Sequence, residues 1–281
     1  MMLPRMMSRI ALLLVVIAAA LVPGVRVRAQ ADPHAALDRI LDVYVRDGLV
    51  YYAALRTERA NLDRYVGSLE RPDWLAGASS ADQRAFWINA YNALVLRTVV
   101  NAYPIAGKAD GYPSISIAQI PGAFDRQKHT VAGQVLTLDE IEKTVIAGFG
   151  DHRMVLALGR GALGSGRLRS EAYRGPRLSE QLDEAVREFV KRGDAFRIDR
   201  ANGIVEVTPL FSWREAVFVQ APAAGGDMWA NRSPLERALM VLAYPHRFPS
   251  EREFLALNTF QMKFGAYDWR LNDLTGGAPI R

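Results

Sequence analysis

The chain contains no cysteine. That absence removes disulfide cross-links, a thiolate nucleophile, a cysteine-borne lipid anchor and any zinc site built on sulfur. Residues 32–281 are enough to bury one sizeable core without such staples. Histidine is scarce as well. His34, His129, His152 and His246 lie far apart and none has a partner four residues on, so no helix-borne metal site is written here and no metal is expected. Charge of one sign is missing where it would matter. The formal net charge is +5, but Arg5, Arg9, Arg26 and Arg28 all precede the first acidic residue, Asp32, which leaves +1 on residues 32–281. A nearly neutral domain has no electrostatic basis for binding nucleic acid.

A long hydrophobic span is also absent near the start. The apolar run Ile10–Val22 has 13 residues, fewer than a membrane-crossing helix needs. Arg5 and Arg9 before it, Pro23-Gly24 after it, and the small-x-small triplet Ala29-Gln30-Ala31 together read as a secretory signal peptide over residues 1–31. The expected product is one domain, 32–281, periplasmic or secreted, with no stable membrane span after cleavage.

Periodicity supplies the elements. Leu37, Ile40, Leu41, Tyr44 and Val45 share one face of a helix stopped by Gly48, "LVYYAAL" reads as a short extended piece, and 58–69 reads as a second helix. Ser80-x-x-Gln83 predicts the cap of a long helix through Asn101. Residues 105–122 read as loop, and "KHTVAGQVLT" as a hairpin. Thr137-x-x-Glu140 caps the helix that carries "LDEIEKTVIAGF", and "MVLAL" (154–158) is expected to be a buried strand begun by Asp151-His152. A further helix starts near Pro176 and ends at Gly193. "AFRIDRANGIVEVTPLFSW" forms a hairpin about Asn202-Gly203, and helices start at Ser233-Pro234 and cover 250–258. The predicted class is α+β: a single domain, predominantly helical, with a small and mostly antiparallel sheet.

The stretch Gly159-Arg160-Gly161-Ala162-Leu163-Gly164 fits G-x-G-x-x-G. A dinucleotide turn would need a helix opening on it and an acid at a second strand end some 20 residues later. Here more glycine and a proline follow, and position 184 falls inside a predicted helix, so no NAD, FAD or other cofactor is expected. Arg160, Ser165, Arg167 and Arg169 instead suggest a glycine-rich loop whose N–H groups and guanidinium forks could hold an anion. The alternative is a surface loop with solvated arginines. Ser165 as a nucleophile, with His152 as its base, is the weaker catalytic reading, since the local text is not G-x-S-x-G. Asn89 and Asn92 share one helix face and serve either as buried braces or as ligand contacts. Glu142 is either a solvated helix residue or the partner of a loop arginine. Tyr267, Asp268, Trp269 and Asn272 are expected to lock the C-terminus onto the core.

Several of these stretches resemble one family in series: "GLVYYAAL", "FWINAYNALV", "LTLDEIEK", "DHRMVLAL", "LRSEAY", "LSEQLDEAVREF", "FSWREAVF" and "YDWRLN". In this order, from about Gly48 to Asn272, the chain resembles the bacterial and plant domain of unknown function 547. The resemblance implies a shared fold but no reaction. It also implies a cysteine where Arg160 stands, a second where Ser165 stands, a proline in place of Gly166 and a histidine in place of Lys143. A Cys/His catalytic pair, if relatives use one, is absent from this sequence.

The function expected from these features is a non-catalytic extracytoplasmic domain binding a small anionic molecule, glycan or peptide, with Arg160, Ser165, Arg167, Arg169, Glu142, Asn89 and Asn92 as the contact set. A hydrolase using Ser165 or an Asp/Glu/His set, and a structural envelope component, are the alternatives.

Overall fold

The computed structural model describes residues 32–220 and 226–276. The expected leader, 1–31, lies outside the described residues. Helix α1 (Ala35–Tyr44) buries Leu37, Ile40 and Leu41. It passes through the hairpin β1 (Val45–Arg46) and β2 (Leu49–Val50) into α2 (Tyr52–Thr57) and α3 (Ala60–Ser68). Asp47 and Gly48 turn the hairpin with φ of 50° and 81°, the left-handed pair that matches the twist of a tight antiparallel ribbon. The extended piece expected over 49–55 is therefore only two residues long before the helix resumes.

Helix α4 (Ser80–Ala102) runs for 23 residues and buries Phe86, Ile88, Tyr91, Leu94, Val95 and Val99 around its circumference. A helix apolar on every face belongs inside a core. Its cap is Ser79, one residue before the expected Ser80: the Ser79 hydroxyl accepts from the Asp82 N–H at 3.1 Å, while Gln83 turns back to the Ala78 carbonyl. The hairpin β3 (His129–Val131) and β4 (Gln134–Leu136) follows as expected. Helix α5 (Leu138–Glu140) opens on the Thr137/Glu140 capping box and widens into a π-helical segment, Ile141–Ile146.

The predicted strand over 154–158 is instead helix α6 (Arg153–Leu156). A short apolar run does not distinguish a buried strand from a buried helical turn. Here Asp151 decides, because its carboxylate accepts from the Arg153 N–H and grips the Arg153 guanidinium, closing a helical turn at this point. Residues 157–174 then run without helix or strand to α7 (Leu178–Lys191). Strands β5 (Phe196–Asp199) and β6 (Ile204–Val207) pair antiparallel about Asn202-Gly203. The hairpin ends at Val207, and "LFSW" is helix α8 (Leu210–Trp213), followed by α9 (Glu215–Val219). Helices α10 (Pro234–Ala243) and α11 (Pro249–Leu257) lead to β7 (Gln261–Phe264), which joins β6 in parallel.

The result is a helix-dominated α+β domain with small, mostly antiparallel sheets. One hydrophobic cluster surrounds α4. A second joins the C-terminal half of α7 to the three-stranded sheet and α8–α11. The chain end stitches the first cluster together: Val50 N–H donates to the Asn272 carbonyl, Leu163 N–H to Arg270, Gly164 N–H to Asp268 and Leu271 N–H to Ile115. Asn272 also donates its amide to the Gly48 carbonyl and accepts from the Tyr52 hydroxyl. Among the described residues no helix is long and apolar enough to cross a membrane.

Candidate functional site

The glycine-rich stretch does not form an exposed loop. Arg160 and Ser165 are 4% and 1% exposed. The glycines permit close approach of backbone and core: Gly161 takes φ of +69°, and a Cβ on Gly164 would stand 2.8 Å from the Asp268 nitrogen. Helix α6 precedes the stretch and no helix opens on it, while Glu184 lies within α7. The strand–turn–helix of a dinucleotide site is not formed.

The Asn89 amide donates to the Tyr173 carbonyl at 2.8 Å and accepts from the Tyr173 N–H at 2.9 Å. Asn92 does the same across the loop start, donating to Ala157 O and accepting from Gly159 N–H. Both asparagines tie α4 to the loop and both amides are occupied by backbone. Asn89→Ala would orphan two buried backbone groups and is expected to lower stability by about 1–3 kcal/mol. Urea unfolding checks this, and a change under about 0.5 kcal/mol would show that the brace is idle.

Ser165 donates to the Ala162 carbonyl at 2.6 Å and accepts from the Arg160 N–H at 3.1 Å, so its hydroxyl serves the turn. Among the described residues no histidine or carboxylate is hydrogen-bonded to it. His152 stands before α6 against the Phe218 ring, in a different groove, and burial lowers its pKa. Arg167 reaches Glu188 at 2.9 Å, and Arg169 pairs with Glu171 and Glu184. The loop arginines are thus neutralised internally, contrary to the expectation of an open anion loop. The physical reason is that α7 presents Glu184 and Glu188 to this segment.

Three charged groups converge beneath an open cleft of about 360 Å³. Glu142, from the π-helical segment and 1% exposed, accepts from Arg160 Nε at 3.1 Å, from Arg160 Nη2, and from Arg214 Nε at 2.5 Å. The Tyr91 hydroxyl adds a contact at 3.3 Å. Burial alone would raise the Glu142 pKa, but the two guanidinium groups outweigh it and hold the carboxyl at about 2. A π-turn re-aims the side chains of a helix and recurs at functional sites. Among the described residues the buried Arg160 Nη1 has no hydrogen-bond partner. The Tyr267 hydroxyl likewise makes no well-formed bond, although Ser165 lies close enough to influence its titration.

Aromatic rings form the cleft wall. Trp213 and Tyr112 are each 43% exposed. Trp213 stacks on Trp269 at 6.0 Å and 26°, and Tyr112 meets Trp269 edge-on at 5.4 Å. Phe124, Asp125 and Asp139 complete the rim. Of these cleft residues, sequence reasoning had marked only Glu142 and Arg160 as ligand contacts. The available signal for Trp213 and Arg214 was "FSWREAV", an exposed aromatic beside a cation just after a hairpin. Among the described residues no group of three or more His, Asp or Glu side chains is arranged to hold a metal ion.

The family model described as "Protein of unknown function, DUF547" matches residues 75–190. The matched part runs from before α4 into α7 and includes Asn89, Asn92, Glu142 and Arg160; Trp213, Arg214 and Trp269 lie beyond it. The chain is similar to that family over this stretch. No curated protein and no solved structure matches it.

Proposed function

We propose that this chain is an exported, non-catalytic domain that binds a glycan in the cleft of Trp213, Trp269 and Tyr112 above the Glu142–Arg160–Arg214 triad. One observation carries the reading: half-exposed aromatic rings, Trp213 and Tyr112, line the same cleft as the buried, paired Glu142, Arg160 and Arg214. Apolar sugar faces pack on indole, and hydroxyl or carboxylate oxygens take donors from fixed guanidinium groups. The cleft is concave, small and lined by few polar groups, as ligand sites are. Its acids, Asp125, Asp139 and Glu142, outnumber its bases, Arg160 and Arg214, so a free inorganic anion gains little there. The internally paired Arg167 and Arg169 do not belong to the binding set, and Asn89 and Asn92 support it from behind.

The hydrolase alternative is less well supported. Ser165 is committed to backbone, and a Glu142 that stays ionised down to about pH 2 is no proton donor at ordinary pH. Indole emission provides the test. Neutral and uronic-acid oligosaccharides should change the fluorescence of the protein saturably. Trp213→Ala should weaken binding by about tenfold or more, the equivalent of about 1.4 kcal/mol, without moving the melting temperature. No response to any oligosaccharide in the series would defeat the proposal.

A further inference from the structure

A second concavity lies away from the aromatic cleft and no function above uses it. Helices α7, α9 and α10 enclose a groove of about 430 Å³ with His152, Arg153 and His246 at its margins. Its floor is apolar: Val186 from α7, Phe218 and Val219 from α9, and Ala238, Val241 and Leu242 from α10. Val219 is 37% exposed.

The margin is polar, with Arg153, Asp183 and Arg237 as its charged groups. Arg153 is neutralised by Asp151 and Asp183. Arg237 lines the groove, and its guanidinium has no hydrogen bond or ion pair among the described residues. His246 at the far end titrates below its usual range, first because it is buried and then because Arg187 and Lys191 add positive potential, with Asp183 opposing. Among the described residues Arg237 is thus a half-buried cation without an ion-pair partner beside an apolar trough.

We propose that this groove binds a single-chain anionic amphiphile, with the alkyl chain against Phe218, Val241 and Leu242 and the acid head at Arg237. Two arguments favour this occupant. The volume falls in the range of small-molecule sites, whereas a stable protein partner needs roughly 800 Å² of surface on each side. Arg237 selects an acid head and disfavours a cationic one, because a guanidinium fork matches a carboxylate in geometry as well as charge. Burying the chain supplies affinity, and Arg237 supplies orientation.

The probe is dodecanoate below its micelle concentration, titrated into the purified protein by calorimetry, with dodecyltrimethylammonium as the chain-matched cation. Dodecanoate should bind one to one and the cation should not bind. Arg237→Glu should weaken dodecanoate by about tenfold or more, and Val241→Trp should abolish binding by filling the trough, with both variants melting near the parent. Trp213→Ala should leave dodecanoate binding unchanged, so this proposal and the glycan proposal fail separately. Absence of dodecanoate binding, equal binding of both amphiphiles, or binding insensitive to both groove substitutions would overturn the proposal. So would sedimentation showing a dimer that Val241→Trp dissolves, since a second copy would then occupy the groove.

Discussion

Arg160→Ala is expected to cost the folded protein about 3–5 kcal/mol, the usual result of removing one member of a buried ion pair. The truncation leaves Glu142 ionised at 1% exposure with Arg214 and the Tyr91 hydroxyl as its remaining partners. In a domain of this size each kcal/mol lowers the melting temperature by roughly 2–4 °C, so a fall on the order of 10 °C should be visible in a thermal scan. Removing the charge as well should recover part of the loss. Arg160→Ala combined with Glu142→Gln should be more stable than the sum of the single changes, a positive coupling in a double-mutant cycle. A melting temperature within about 2 °C of the parent for Arg160→Ala would show that the triad is not a structural unit.

The same triad fixes a pH window. Glu142 has a folded pKa near 2 against an ordinary value of 4.5, so the unfolded chain takes up its proton first as pH falls. Its contribution is complete above pH 4.5 and is lost between 4.5 and 2. His129 acts earlier. Burial, followed by the charge of Arg97, depresses it from 6.5 to about 4, so its neutral folded form costs stability as pH falls from 6.5 to 4. Unfolding measured at pH 5.5 and at pH 3 should therefore differ from neutral pH for separate reasons, and only the loss at pH 3 should shrink in Arg160→Ala.

Much of the fold was legible because local signals agreed with tertiary structure. The Thr137/Glu140 and Ser233/Glu236 capping boxes lie where their spacing placed them, and Asn202-Gly203 turns the β5–β6 hairpin. The misreading of 154–158 came from a run too short for its period to show. The site was harder to read for a different reason. Arg160 and Arg214 lie 18 and 72 residues from Glu142, and nothing local distinguishes a buried arginine from a solvated one. Glycine around Arg160 suggested exposure, yet those glycines are what allow the segment to be buried against α4 and the chain end. The asparagines were readable as braces because mid-helix asparagine needs a partner. The aromatic wall was not, since Tyr112, Trp213 and Trp269 come from three segments that meet only through the C-terminal stitching.

Gly166→Ala should be at least as damaging as the arginine truncation. A Cβ at Gly166 would stand 2.0 Å from the Leu156 carbonyl oxygen, 2.8 Å from its carbon and 3.2 Å from the Leu158 oxygen. These are backbone atoms, so no rotamer change relieves the overlap. Nor is the loop free to retreat. Arg192 holds the Ser165 and Leu163 carbonyls, each at 2.6 Å, and the Ser165 hydroxyl bonds the Ala162 carbonyl. Retreat breaks those contacts; staying displaces the end of α6 from the second hydrophobic cluster, where Leu156 packs. Overpacking usually costs 1–3 kcal/mol, and a clash between two anchored backbones should exceed about 3 kcal/mol. Gly193→Ala is the control, because nothing lies within 4 Å of its would-be Cβ, and it should shift stability by less than about 0.5 kcal/mol. Proline at position 166 would carry that same Cβ. Glycine at 166 and burial of Arg160 are then expected to be coupled: the chain passes close to Leu156 while the guanidinium is buried against Glu142, and a Cβ at 166 opposes that approach. Gly166→Pro should accordingly unfold the domain or expel Arg160 from the triad, read as loss of the protection of its amide from hydrogen exchange. A stable Gly166→Pro protein with Arg160 still protected would refute the coupling.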